Sequence, residues 1–265
     1  MTDIEIYEEI IRIKNAGAVA ALATVISAKG STPREEGAKM LVRADGSILG
    51  TIGGGGLEAR IITEAAEVIR TGEPKHLHFT LTEKGELGAL CGGNVEVFIE
   101  PIKPEPSLYI FGGGHIGVPL AKMAKLLDFR VVVIDDRPEF ACRERFPEAD
   151  QVLVEDYNTA VSKLKIEKSS FLVIITHGHK GDEAVLTQAV NTEARYIGMI
   201  GSKAKVKTLF THLRDKGIPQ ERLDKVHAPI GLAIHAETPA EIAVSILAEM
   251  IQVKRTPVPE TSKTG

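Results

Sequence analysis

Hydrophobic positions in the first hundred residues follow both a helical and an alternating period. Ile6, Ile10 and Ile13 have the spacing of one helix face, which predicts an amphipathic helix over 4–14. The stretch 18–27 is rich in small and β-branched residues and predicts a buried strand. The other elements of this α+β region are predicted as a loop, a hairpin, a helix and two strands over 29–37, 39–52, 57–70, 76–81 and 95–99.

Farther along, short apolar runs alternate with helical stretches. Strands that alternate with helices form a parallel sheet, so this half predicts a Rossmann-like, doubly wound parallel sheet. Thr238-Pro239-Ala240-Glu241 combines an N-cap, a proline at the first helical position and a capping-box glutamate, and predicts the start of the last helix. The strands are predicted near 108–111, 131–134, 151–154, 171–175 and 195–199, with helices between them.

A proline-rich segment separates the two patterns. Residues 101–106 contain three prolines and predict a stiff linker. The fold class expected is therefore α/β, with a small α+β N-terminal domain over 1–103 and a Rossmann-like domain over 104–255. The polar stretch 256–265 is expected to be a disordered tail.

A glycine fingerprint follows the first strand of the second domain. Gly112, Gly114 and Gly117 have the G-x-G-x-x-G spacing, a helical stretch follows, and the next strand ends at Asp135. In dinucleotide-binding units these glycines serve the tight turn, the approach of a pyrophosphate and helix–strand packing. Asp135 lies about 20 residues beyond the turn, where a ribose-binding carboxylate is expected. His115, inside the turn, is expected to face the same crevice.

A second glycine cluster joins the predicted hairpin to the helix at 57–70. Free N–H groups at a helix start, reinforced by the helix dipole, form an anion site. A preceding loop offers two hydroxyls and a guanidinium, which suit phosphate oxygens. The alternative is a flexible turn beside a solvated arginine. The residues of this candidate phosphate site are Gly53, Gly54, Gly55, Ser31, Thr32 and Arg34.

The carboxyl edge of the predicted parallel sheet collects further polar residues. His177, His179 and Asp182 follow the strand at 171–175 and offer a metal set or proton-transfer groups. The alternative for Asp182 is ordinary capping of the next helix. On the same edge, Gly201 and Ser202 end a strand, where Ser202 either caps a helix or donates to a bound phosphate.

Two cysteines far apart, Cys91 and Cys142, lack C-x-x-C spacing and indicate a reducing compartment. A lone cysteine is most often a buried structural thiol. Cys91 precedes two glycines in a predicted loop, which favours exposure and a role as a soft ligand or a sulfur carrier. Cys142 is predicted to be inert.

Charge and hydropathy argue against a nucleic-acid-binding, secreted or membrane-spanning protein. The net charge is −4 and no basic block follows the chain, which disfavours nucleic-acid binding. The acidic start is unlike a signal peptide, and apolar runs are too short for a membrane span. A cytoplasmic protein is expected.

The motifs together resemble the XdhC/CoxI family, accessory factors for xanthine dehydrogenase and related molybdenum hydroxylases. The resemblance extends from about Ala20 to Ile251 and departs at Ala233 and His235, where the family pattern is closer to GLDIG. The segments that carry it are 30–42, 50–58, 91–101, 111–117, 131–137, 176–183, 196–205 and 228–249.

The resemblance implies a two-domain protein that binds molybdenum cofactor, supports its sulfuration by a cysteine desulfurase and delivers it to a xanthine dehydrogenase-type hydroxylase. The cofactor is a pterin bearing a phosphate, as molybdopterin or its dinucleotide form, so two glycine-rich anion sites suit it. The chain has no cysteine set for iron–sulfur clusters, which excludes the complete hydroxylase. A homodimer is also expected.

Two other functions remain open from the residues alone. The first is an NAD(P)-dependent oxidoreductase that uses the central glycines and Asp135, with His177 or His179 transferring a proton. The second is a nucleotide-sensing regulatory module without catalysis. Titration with NAD distinguishes them, since binding with turnover favours the oxidoreductase and binding without turnover favours the sensor.

Overall fold

A computed structural model describes residues 3–81 and 93–256 of the chain. It divides into two compact units, Met1–Glu105 and Pro106–Gly265. The first contains a five-stranded antiparallel sheet and the second a six-stranded parallel sheet. The predicted fold class, a small α+β region followed by a Rossmann-like sheet, is confirmed.

The N-terminal unit is a sheet with one helix on each face. Its strand order is β3-β2-β1-β5-β4. One face of α2 carries Leu57, Ile61 and Val68, which pack with the sheet in a closed core. On the other face, Ile6 and Ile13 of α1 are buried. The elements are α1 (Asp3–Asn15), β1 (Ala20–Lys29), β2 (Lys39–Arg43), β3 (Ile48–Gly50), α2 (Gly55–Thr71), β4 (Lys75–Thr80) and β5 (Asn94–Ile102).

The predicted linker begins later than the prolines indicated. β5 continues through Pro101, which pairs with Ala21, and Ile102, which pairs with Ala20. The prediction that the linker starts at residue 101 is therefore wrong. The pairing of β4 with β5 stops at Ile99, so β5 has only one strand neighbour at Pro101. A proline lacks the N–H that a second neighbour would need, and this position tolerates it.

The second unit has the strand order β11-β10-β9-β6-β7-β8, all parallel. Chain order reverses between β6 and β9, as in the common doubly wound arrangement. The elements are β6 (Ser107–Phe111), α3 (Gly117–Lys125), β7 (Arg130–Asp135), β8 (Gln151–Val154), β9 (Phe171–Ile174), α4 (His179–Ala189), β10 (Tyr196–Met199), α5 (Lys203–Asp215), α6 (Gln220–Leu223), β11 (Val226–His227) and α7 (Pro239–Arg255).

Helices cover both faces of this parallel sheet. On one face Leu120 of α3 and Ile246 of α7 pack against the sheet. On the other, Leu186 of α4 and Leu213 of α5 do so. Each fully buried side chain of this size contributes roughly 2 kcal/mol by leaving water. The carboxyl edge of the sheet is not covered by these helices and is formed by the loops that follow the strands.

The expectation of a helix between every pair of strands is wrong at two places. Residues 136–150 form turns, and 155–170 contain a single short 3₁₀ helix, Val161–Lys163. Both stretches lack a sustained apolar period, and the first contains Pro138 and Pro147. In contrast, the capping box of α7 is confirmed, since Glu241 N–H donates to Thr238 Oγ1 over 3.3 Å. No helix in the described ranges is both long enough and apolar enough to cross a membrane.

Candidate functional site

The candidate site lies where the strand order of the parallel sheet reverses. β6 and β9 are neighbours there, and ligands of doubly wound sheets bind outside the carboxyl ends of such a pair. The chain after β6 passes directly over the chain after β9. A Cβ atom on Gly112 would lie 2.2 Å from the carbonyl oxygen of Ile175.

The glycines of the central turn have different physical roles. Gly112 has φ +124° and no room for a Cβ, and a Cβ on Gly117 would lie 2.4 Å from the Gly112 oxygen. Gly113 is equally crowded, because its Cβ would lie 2.3 Å from the Phe140 oxygen. Gly114 alone of these four has nothing within 4 Å of a Cβ position. Three glycines are therefore required by packing, and Gly114 leaves space at the surface.

The backbone amides of this turn fall into two groups. Gly112 N–H donates to the Ile134 oxygen and Gly113 N–H to Asp135 Oδ2, each over 2.8 Å. Within the described residues, no acceptor is bonded to the next three amides, of Gly114, His115 and Ile116. These amides precede the first residue of α3, where the helix dipole favours an anion.

Asp135 lies beneath this turn with no exposed surface. Arg137 donates to it through Nε over 2.9 Å and through a terminal guanidinium nitrogen over 3.1 Å. Burial raises the pKa of the Asp135 carboxyl, but the bonds from Arg137 and Gly113 outweigh burial and lower it. The Arg137 guanidinium also stacks 3.6 Å from the Phe140 ring centre. The predicted ribose-binding carboxylate thus orders the turn from inside.

The next residue, Asp136, is exposed at the same edge. His177 Nδ1 lies 3.7 Å from Asp136 Oδ1. Ligand atoms of Asp135, Asp136 and His177 all lie within 4.8 Å of one another. Burial and the Asp135 charge raise the pKa of Asp136, against the opposing effect of His177. Asp136 and His177, the two exposed members, are called the acidic corner below. They can accept hydrogen bonds from a ligand.

Tyr157 closes the acidic corner from below. Its ring centre lies 6.4 Å from that of His177, and its side chain is buried. Burial, then the charges of Asp135 and Asp136, raise the pKa of the Tyr157 hydroxyl, so it stays protonated. The hydroxyl has no hydrogen-bond partner among the described residues. A buried donor of this kind is costly unless a ligand or water accepts from it.

The residues predicted after β9 do not form one cluster. Asp182 is fully buried and accepts from Thr176 Oγ1 over 2.7 Å and from Lys205 Nζ over 2.5 Å. His177 instead faces Asp136, and His179 is exposed at the first residue of α4. Asp182 therefore ties the loop after β9 to α5, and it is separate from the two histidines.

Ser202 and Gly201 lie at the start of α5. Ser202 is the N-cap, and its hydroxyl accepts from Lys205 N–H over 3.2 Å. Gly201 is half-buried, and a Cβ there would lie 3.0 Å from Lys205 Cδ. The geometry matches the capping alternative for Ser202. Its exposed position leaves the phosphate role as a prediction.

The glycine turn of the N-terminal unit already contains an acceptor. Glu58 Oε1, in the first turn of α2, accepts from Gly54 N–H over 2.9 Å and from Ile52 N–H over 3.2 Å. Thr51 Oγ1 donates to the same oxygen over 2.5 Å. Burial raises the pKa of the Glu58 carboxyl, but these hydrogen bonds outweigh it and lower the pKa. A phosphate at this turn would compete with a carboxylate of the protein.

The loop over 30–37 lies beside that turn. A Cβ on Gly53 would lie 2.5 Å from Pro33 Cγ, so the two segments touch. In the part of the chain that the structure describes, no hydrogen bond or ion pair holds the side chains of Ser31, Thr32 or Arg34. The structure brings these predicted residues near the turn, and their role in phosphate binding remains a prediction.

Cys91 lies outside the described residues. Cys142 is half-buried, with Sγ 3.7 Å from the Glu139 oxygen. Ala233 and His235, where the sequence departs from the family pattern, are exposed between β11 and α7, and His235 has φ +58°.

Sequence reasoning missed several residues of these sites. Asp136 and Arg137 lie in the same short motif as Asp135, so the sequence shows that the three are close together. It does not show that Asp135 is buried and bonded to Arg137 while Asp136 is exposed. Glu58 follows the upstream glycines by one helical turn, which is a usable signal for a self-capped helix start. Nothing in the sequence around Tyr157 indicates that it would lie under this edge.

Comparison with known proteins places both halves of the chain in one family. The XdhC Rossmann domain matches residues 108–250, more than half of the chain. The XdhC and CoxI family model matches residues 13–80. The two matches fall on the parallel and the antiparallel unit respectively.

Several relatives are similar over much of the chain. An uncharacterized Escherichia coli protein, YqeB, is 37% identical over 94% of this chain and 46% of its own length. A Bacillus subtilis protein named as a probable xanthine dehydrogenase subunit is 35% identical over 60% of this chain and 46% of its own. The E. coli molybdenum cofactor insertion chaperone PaoD is 22% identical, covering 90% of this chain and 85% of its own.

One solved structure covers almost the entire chain. It is described as a xanthine dehydrogenase from Bacillus halodurans, is 26% identical, and aligns over 99% of this chain and 98% of that chain with a TM-score of 0.55. The chain spans about half the length of the first two relatives, 46% of each.

Proposed function

The chain belongs to the XdhC and CoxI family, and we propose that it is an accessory factor that binds molybdenum cofactor for a xanthine dehydrogenase-type hydroxylase. Family membership and the similarity to a molybdenum cofactor insertion chaperone support this proposal. The cargo is the pterin cofactor itself, received and released rather than used in turnover.

The observation that carries the proposal is the open glycine turn at the reversal of strand order. Amide N–H groups of Gly114, His115 and Ile116 point from a helix start without acceptors among the described residues. A phosphate is the group that such an arrangement binds best. The space beside Gly114 lets the phosphate approach the backbone. The phosphate end of the cofactor is therefore assigned to this turn.

The acidic corner would orient the rest of the ligand. Asp136 and His177 are exposed beside the turn, and the Tyr157 hydroxyl beneath them has no partner among the described residues. Carboxylate and imidazole groups suit the donor-rich edge of a pterin, or the ribose of a dinucleotide form. Asp135, by contrast, is already bonded to Arg137 and Gly113, so it contributes by ordering the turn.

Sulfuration and delivery are further parts of the proposal. Cys91 would act as a soft thiolate near molybdenum while a cysteine desulfurase supplies sulfur, since hydroxyls are poorer ligands for soft centres. The completed cofactor would then pass to the hydroxylase. A homodimer and a cytoplasmic location fit this sequence of events.

The first test is purification of the untagged chain from a host that makes the cofactor, followed by pterin fluorescence and molybdenum analysis. We expect both signals in the parent, a reduced amount in Gly114→Ala and none in Gly114→Val, because each added carbon fills the space beside the turn. Ala66→Val, on the exposed face of α2, is the control that adds similar bulk elsewhere.

Absence of pterin and molybdenum, with no binding when cofactor is added, would refute the proposal. Titration with NAD or NADP is the parallel arm. Tight binding with turnover of an alcohol or acid would favour the oxidoreductase, and binding without turnover would favour the nucleotide sensor.

The second test separates the thiols. Cys91→Ser is expected to leave stability within roughly 1 kcal/mol while activation of the hydroxylase falls sharply. Cys142→Ser is the matched control and is expected to change neither. Full activation by the Cys91→Ser protein would remove the thiol from the proposal and leave the phosphate assignment standing.

A further inference from the structure

Two histidines stand side by side on the edge strand of the N-terminal sheet. His76 and His78 alternate with Leu77 along β4, and residues two apart point to the same face. Leu77 and Phe79 pack into the core beneath α2. Both imidazoles therefore project from the opposite face, where both are exposed.

A carboxylate from the neighbouring strand completes the group. Glu96 of β5 pairs in register with His78, which puts the two side chains on one face. His76 Nε2 lies 3.0 Å and His78 Nδ1 lies 3.7 Å from the same oxygen, Glu96 Oε2. The two imidazole centres are 4.5 Å apart. One ligand atom from each residue thus lies within 4.8 Å of the others.

A hydrogen bond from His76 Nε2–H to Glu96 Oε2 accounts for the 3.0 Å contact but not for the second imidazole beside the same oxygen. One carboxylate oxygen balances one protonated imidazole, and a second imidazolium 4.5 Å away would repel the first. Each neutral imidazole has one nitrogen lone pair, so two nitrogen lone pairs and one negative oxygen become available to a cation once it replaces the hydrogen bond between His76 Nε2 and Glu96 Oε2. Around a tetrahedral zinc ion with ligand bonds of about 2.0–2.1 Å, neighbouring ligand atoms are roughly 3.3 Å apart. The two distances to Glu96 lie on either side of that value.

We propose that His76, His78 and Glu96 form a binding site for a divalent transition metal ion. Two imidazoles and one carboxylate suit Zn²⁺, Ni²⁺ or Cu²⁺, whereas Mg²⁺ and Ca²⁺ prefer oxygen ligands. Three protein ligands leave a coordination position for water or an external ligand. The site lies within the N-terminal unit and does not depend on the proposed role in cofactor maturation.

The test is titration of ZnCl₂ into the untagged full chain, followed by calorimetry or competition with a chromophoric chelator. We expect one equivalent bound by the parent, with affinity at least tenfold lower in Glu96→Gln. The His76→Gln/His78→Gln double variant is expected to lose that equivalent. His212→Gln is the control, because His212 is also exposed and lies 3.4 Å from a single carboxylate, Glu183. A full equivalent retained by the double variant would overturn the proposal.

A second measurement uses the unmodified chain. Substoichiometric Cu²⁺ is expected to broaden the ring NMR signals of His76 and His78 before those of His212. Equal broadening of all imidazole signals, or displacement of Zn²⁺ by equimolar Mg²⁺, would contradict a site of this ligand set. Circular dichroism of the double variant verifies that its fold is retained.

Discussion

In the part of the chain that the structure describes, the glycine-rich turns at 53–56 and 112–114 each lead from a strand into a helix, and of these two only the second is open. At the start of α2, the amides of Ile52 and Gly54 already donate to Glu58. At the start of α3, the amides of Gly114 to Ile116 have no acceptor among the described residues. The first turn of α2 carries an acidic residue and that of α3 carries none.

This difference separates two uses of glycine. At α2, a carboxylate of the protein occupies the position that an external anion would take, so the turn is closed by its own chain. At α3, the first turn carries no acidic residue, and the helix start stays available. In both turns the glycines let an anion come close to the backbone N–H groups at the helix start. Whether that anion is a carboxylate of the protein or an external ligand depends on whether the first helical turn contains an acidic residue.

The largest effect expected is on the fold around the open turn. Gly112→Ala should lower the free energy of unfolding by about 3 kcal/mol, because φ is +124° and the new Cβ would overlap the Ile175 oxygen. Urea unfolding of the parent and the variant measures this change. Loss of less than about 1 kcal/mol would mean that the two loops separate easily.

The closed turn should be sensitive to its carboxylate. Glu58→Ala should destabilise the N-terminal unit by about 2 kcal/mol, because two backbone donors and the Thr51 hydroxyl lose a charged acceptor. Added phosphate should recover part of the loss in the variant and little in the parent, as followed by hydrogen exchange in peptides around Gly54. Glu73→Ala, on an exposed residue, is the control. Equal phosphate effects in all three proteins would contradict a self-occupied turn.

Acid should weaken the closed turn selectively. The folded protein lowers the pKa of Glu58 below its ordinary value of 4.5, so this stabilisation is present at neutral pH and is lost as pH falls through the lowered pKa. The difference in unfolding free energy between the parent and Glu58→Gln should therefore be largest near pH 7 and shrink progressively below about pH 4.5. A difference that stays constant with pH would assign the effect to the shape of the side chain.

The smallest effect on stability is expected at the open position. Gly114→Ala should change the free energy of unfolding by no more than about 0.5 kcal/mol, because a Cβ there meets nothing within 4 Å. Parallel urea curves with Gly112→Ala compare the two glycines directly. A loss at Gly114 as large as that at Gly112 would mean that it serves packing, and the comparison between the two turns would fail.

Much of the fold was predictable because it depends on local patterns. The helical spacing of Ile6, Ile10 and Ile13, the alternation along β4, and the capping box before α7 all appear as elements. Short or aperiodic segments were not predicted: β11 has two residues, and the turns over 136–150 replace an expected helix. The apolar period that predicts an element is absent from them.

The sequence by itself determined where most strands and helices and the two glycine-rich turns lie, because each of these depends on residues a few positions apart. Tertiary structure alone decided that Asp135 is buried and accepts from Gly113 N–H while Asp136 meets His177, and that Asp182 binds Lys205. It also brought Tyr157 beneath the acidic corner. Hydrogen-bond partners and burial at these positions come from elements distant along the chain, and only packing of the sheet brings those elements together.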